Sequence, residues 1–333
     1  MADGPRRRLS PPVVTILSIA GILVAMRLLQ FHADDGSDAG RRFVTGTAWF
    51  AWTAVAGLSL AAFAVSFAIG MNAILRPSVA LGLRSSPPAR RYGYLAVAVL
   101  LVAAIAVAMF LGTGAPPEVA SLPVTHILLR TRGVVLIGFA ATVPWLALVW
   151  LAHASCFELR SMAATMPAEG LIDVPADAEN PAVDTARQTV EALQRLWRLM
   201  TQCVTAAAIS VVVAIVTAGA LRAAFLAYAP GRGDDFPASS VLLYGAFFAV
   251  LQAAIGLPLV VSWRARARDL VDRAYPLPLG GRPTDTWLDD RRRLETLLHL
   301  NVPLLRNPLA ALSVFAPLVT SALAVFIPQL AGG

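Results

Sequence analysis

Apolar residues fall along this chain in seven long runs separated by polar segments. The runs cover 12–29, 46–69, 94–111, 134–153, 204–226, 240–263 and 308–328. About 20 apolar residues in helical conformation cross the hydrocarbon core of a bilayer. The pattern therefore predicts an all-α fold: a polytopic helical membrane bundle with about seven transmembrane spans. The seventh run is interrupted by Pro317 and could be re-entrant, although bundles tolerate such kinks. Within the runs, small residues recur every four positions. They are Ala206, Ser210, Ala214 and Ala218 in the fifth, and Ala62, Ser66 and Gly70 in the second. Such faces let helices approach closely.

A different periodicity precedes the fifth run. Asn180 is a good N-cap and Pro181 suits a first helical turn. Val183, Ala186, Val190, Leu193, Trp197 and Met200 then follow at alternating spacings of three and four, with Arg187, Glu191, Arg195 and Arg198 on the other faces. This is an amphipathic helix fused to a span. The sixth run continues similarly through Ala267, Leu270, Val271 and Ala274 until Pro276. A further helix is expected to start near Thr284 and Asp285 and to carry Trp287, Leu288, Leu294, Leu297 and Leu298. Together they predict a small cytosolic helical layer. Residues 168–179 are acidic, lack aromatics and read as a linker. The expected organisation is an N-terminal four-span half (1–156), a cytosolic linker and amphipathic helix (157–203), spans five and six (204–263), cytosolic helices (264–306) and a C-terminal span or re-entrant segment (307–333).

Composition agrees with the runs: 57 % of residues are hydrophobic and only 14 % charged, where soluble domains carry about 25 %. The net charge of +7 comes from 27 arginines and no lysine. The apolar runs argue that this charge serves the bilayer, and no nucleic-acid partner is expected. Lysine-free, alanine-rich usage suggests a GC-rich bacterial source. Loop arginines set orientation. Placing the N-terminus in the cytosol puts 20 arginines inside and six outside, which predicts that orientation in the plasma (inner) membrane. The first run follows Arg6-Arg7-Arg8, but its small-x-small site at 37–39 lies too far downstream for cleavage, so a retained anchor is expected.

The chemistry legible in the sequence is sparse. Nucleotide-binding glycine loops, H-E-x-x-H and G-x-S-x-G are missing. Span centres hold almost no ionisable residues, which speaks against proton-coupled transport. Polar candidates there are Thr53, Ser59, Thr142, Ser210, Gln252 and Thr320, and Pro144, Pro258 and Pro317 could open backbone carbonyls. His153, Cys156, Cys203 and His299 gather at the inner boundary and could supply a tetrahedral zinc site. Their spacing matches no standard motif, so buried structural thiols are expected and no cofactor is predicted. His32, Asp34, Asp35, Asp38 and His126 on the outer side read as solvated loop residues. Two functional readings follow. The first is a non-enzymatic anchor, scaffold or signalling subunit acting through cytosolic helical contacts, with Val183, Val190, Leu193 and Trp197 as the interaction surface. Beyond the lipid bilayer, its partner would be a second copy or a cytosolic protein. The alternative is a channel or carrier for a neutral or lipid-like solute. A weaker third reading, a membrane enzyme, would use His153, Cys156 and Glu158.

Overall fold

A computed structural model describes residues 11–75, 87–112, 119–164, 181–277, 282–301 and 315–323. The described elements are helical. They are α1 (Pro11–Gln30), α2 (Asp38–Val44), α3 (Thr47–Leu75), α4 (Pro88–Gly112), a 3₁₀ turn (Val119–Ser121), α5 (Ile127–Ala164), α6 (Pro181–Tyr228), α7 (Ala238–Ala274) and α8 (Asp285–Leu297). Residues 315–323 are also helical. Among the described residues, five helices, α3 to α7, are long and apolar enough to cross a membrane. The first apolar run forms α1, of 20 residues. Of the seventh run, only 315–323 is described, and the linker at 168–179 lies outside the described residues.

Some helices are longer than a span requires. α6 has 48 residues, about 72 Å at 1.5 Å per residue, against roughly 30 Å of hydrocarbon. Two prolines are carried inside long helices, Pro144 in α5 and Pro258 in α7, whereas α7 ends at Ala274, two residues before Pro276, as expected. Short elements follow capping rules. The Ser37 hydroxyl accepts from the Gly40 amide at 2.8 Å to start α2, and Thr284 accepts from the Trp287 amide to start α8.

α3, α5 and α6 pack on one another, α1 lies against α3, α4 against α5, and α7 against both α5 and α6. Gly70 makes one of the close approaches possible. A Cβ there would stand 2.9 Å from Pro144 Cγ and 3.2 Å from Trp145 Cε2, so Pro144 fills a notch on α3. The neighbouring Trp145 indole donates to Ser66 Oγ at 2.8 Å. The outer faces are aliphatic, with Leu100, Leu243 and Val250 each about 70 % exposed, as lipid contact requires.

Two apolar clusters hold the bundle. One, at the end where α1 finishes and α3 begins (the loop end), contains Trp49, Trp52, Phe63, Ile215, Phe225 and Phe236. The other, at the arginine-rich end, contains Leu148, Leu159, Leu193, Leu196, Trp263 and Leu270.

Candidate functional site

At the loop end, α1 stops beside the start of α5. The last carbonyls of a helix have no intrahelical donor. Arg130 supplies donors for them, reaching Leu29 O at 2.7 Å, Phe31 O at 2.8 Å, His32 O at 3.2 Å and Leu28 O at 3.3 Å. Its Nε donates to Thr125 O at 3.0 Å. The acidic residues nearby are also engaged. Asp34 accepts from the Gly36 amide, Asp35 from the amide and hydroxyl of Ser37, and Asp38 pairs with Arg41. The Ser37 hydroxyl and backbone hold the Asp35 carboxyl below the ordinary aspartate value. His32 and His126 both adopt positive φ, near 50°, and belong to these turns.

Behind this cap a cavity of about 340 Å³ opens between α3, α5, α6 and α7. Its walls are mainly apolar, including Phe63, Val135, Phe139, Val211, Leu221 and Phe248. On α5 the lining runs from Thr131 to Thr142, and on α6 from Ser210 to Leu221. Each stretch rises about 16 Å, close to half of a ~30 Å hydrocarbon core. Ligand sites of this kind are mostly apolar, with a few placed polar groups.

The hydroxyls in the wall are largely spent on the protein itself. Thr142 donates to Phe139 O at 2.7 Å and Ser210 to Ala206 O at 2.9 Å. The Thr217 and Ser59 hydroxyls lie 2.7 Å apart, so that either can donate to the other, and the carbonyls of Val213 and Val55 stand 2.7 and 2.9 Å from them as further acceptors. Trp52 differs. It is 1 % exposed, lines the cavity, and its indole N–H has no hydrogen-bond partner. Thr142 and Ser210 are among the polar span residues singled out by sequence. Trp52 and Tyr244 are not, because an aromatic near a span end reads as an interfacial anchor.

The remaining sequence candidates sit at the arginine-rich end. Leu193 is fully buried there, and its carbonyl accepts from Trp263 Nε1 at 2.9 Å. Trp197 lies between the rings of Trp263 at 4.6 Å and His299 at 5.2 Å. Val190 packs on the same cluster, whereas the Val183 side chain lies outside those described. The layer is closed by Arg264, which donates to Leu300 O at 2.9 Å. Arg291 clamps α8 to α7 by pairing with Asp272 at 2.6 Å, and within α8 it also pairs with Glu295 at 3.1 Å.

Cys156 and Cys203 are free thiols buried in this apolar cluster. His153 meets Phe157 edge-on, His299 stacks on Trp197, and Glu158 pairs with Arg90 of α4. Among the described residues, no three His, Cys, Asp or Glu side chains converge at metal-ligand spacing. In α7, both amide atoms of Gln252 are buried without a partner, and Pro258 faces outward. No family model, curated protein or solved structure matches this chain.

Proposed function

We propose that this chain is a non-enzymatic multi-pass protein of the plasma membrane, with its N-terminus in the cytosol, that carries a lipid-like solute in its intrabundle cavity. The observation behind this reading is the mainly apolar chamber between α3, α5, α6 and α7, one leaflet deep, in which the hydroxyls of Thr131, Thr142, Ser210 and Thr217 are turned to backbone carbonyls. Such a wall favours a molecule that is mostly hydrocarbon. The orientation rests on the arginine distribution.

The test is native mass spectrometry of the purified protein in a short-chain detergent. The wild type should retain a co-purifying lipid, and Ala214→Phe, which fills the chamber from α6, should lose it. Equal lipid retention by both proteins would sink the carrier reading.

A second reading, an anchor or scaffold with a protein partner, draws on α8. None of its residues is buried, and Arg292 and Arg293 are both exposed. The stripe of Val190, Leu193 and Trp197 is taken up by the chain's own α7 and the Leu298–Leu300 turn, so a partner would meet α8 rather than that stripe.

A further inference from the structure

A cavity walled by hydrocarbon would select only for shape, unless some polar group in it remained unsatisfied. Here one does. The hydroxyls of Thr142, Ser210 and Thr217 already have backbone acceptors, and so does that of Thr131, at 3.0 Å from Ile127 O. The indole N–H of Trp52 has none, although the residue is 99 % buried and part of the lining. A buried donor without an acceptor is costly, and native proteins rarely retain one without a reason. Its ring is fixed by Trp49, 4.7 Å away centroid to centroid, so the donor does not swing out to water.

The depth of this donor narrows the ligand further. Trp52 is the sixth residue of α3, about 7.5 Å along the axis from its start at the loop end. That is the zone just beneath a headgroup layer. From there the lining of α3 continues to Phe63, about 16 Å deeper, at the level of one leaflet's chain ends. The chamber therefore offers the Trp52 N–H at the shallow level, with Arg132, Ser240 and Tyr244 also in its lining, and mainly apolar walls below.

We infer that the cavity takes one acyl chain, with the acyl carbonyl oxygen accepting from Trp52 Nε1 and the chain lying along α5 and α6 toward Thr142 and Ser210. This deepens the carrier reading and rests on it. The carboxyl oxygen of a free fatty acid and the ester carbonyl of a membrane lipid can each accept from this N–H.

The experiment is scintillation-proximity binding to the full-length protein in detergent, using tritiated hexadecane, methyl palmitate, palmitic acid and palmitoyl lysophosphatidylcholine. Wild type should bind methyl palmitate more tightly than hexadecane by about five- to tenfold, the value of one added hydrogen bond. Trp52→Phe should erase that preference while binding hexadecane as wild type does. Of the two remaining ligands, the tighter one names the source of the acyl group. A variant-free readout accompanies this: one indole ¹H–¹⁵N resonance should move with methyl palmitate and not with hexadecane. Equal binding of ester and alkane by wild type, or a preference that survives Trp52→Phe, would overturn the Trp52 assignment and leave the chamber's apolar role standing. Failure of wild type to bind any of the four would overturn both.

Discussion

Truncating Leu193 to alanine should loosen the arginine-rich end of the molecule by a predictable amount. The side chain is fully buried, in the cluster that also holds Leu196, Trp263, Leu270 and both thiols. Removing three carbons forfeits about 2.4 kcal/mol of transfer free energy at ~0.8 kcal/mol each. A void of roughly 80 Å³ left unfilled adds up to ~2 kcal/mol at about 24 cal/mol per Å³. The expected loss is thus about 2.5–4.5 kcal/mol. The Trp263–Leu193 hydrogen bond uses the backbone carbonyl, so it survives and does not enter the sum. A fluorogenic maleimide is a suitable reporter, because Cys156 and Cys203 are 1 % and 2 % exposed and react only when this cluster opens. At about 2–4 °C per kcal/mol the midpoint should fall by about 5–18 °C. Leu297→Ala, on the half-exposed side of α8, is the control and should cost under about 0.5 kcal/mol. If the two variants melt together, within a degree or two of wild type, the layer is not closed over Leu193 and the reasoning fails.

Four further outcomes are expected. Gly70→Ala should destabilise by about 1–3 kcal/mol in the same assay, because its methyl enters the space held by Pro144. Replacing Ser59 by alanine and Thr217 by valine, singly and together, should reveal a coupling of about 0.6 kcal/mol, the usual value for an interhelical hydrogen bond in a membrane. Asp35 has a depressed pKa, so its contribution to the α2 turn is complete above the ordinary value near 3.8 and is lost as pH falls through the lower folded value. Protection of the Ser37 and Gly40 amides, taken relative to their intrinsic base-catalysed exchange rates, should therefore stay flat from pH 7 to about 4 and fall below it, and Asp35→Asn should abolish that step. In a cysteine-free background, Ser85→Cys should resist an impermeant maleimide added outside intact cells, and labelling there would invert the proposed orientation.

Much of the helical plan was legible because hydrophobic period and caps act locally. Thr284 announces α8 by its own side chain, and the stripe from Val190 to Met200 announces an α6 that outruns the membrane. The short α2 was missed, since Asp34 to Asp38 read as a solvated loop although Ser37 carries an N-cap signature. The prolines show a different kind of limit. By sequence Pro144 is a site for opening backbone carbonyls, yet its ring fills the Gly70 notch on another helix. The cavity was least legible. It depends on how α3, α5, α6 and α7 are rotated about their axes, and a periodicity gives each helix a face without saying which faces meet. Only after Trp52 is placed among carbonyl-bound hydroxyls does its N–H stand out.

The Arg130 clamp has a consequence in time. The carbonyls of Leu28 to His32 receive their donors from a residue about 100 positions later in the chain. At a synthesis rate of about 5–20 residues per second, α1 waits roughly 5–20 s for the start of α5 to emerge. Until then its end is capped by water or headgroups alone. α1 is thus made first and locked late. A chain stopped after α4 would hold every residue of α1 and α3 and still lack the group that fastens α1's end.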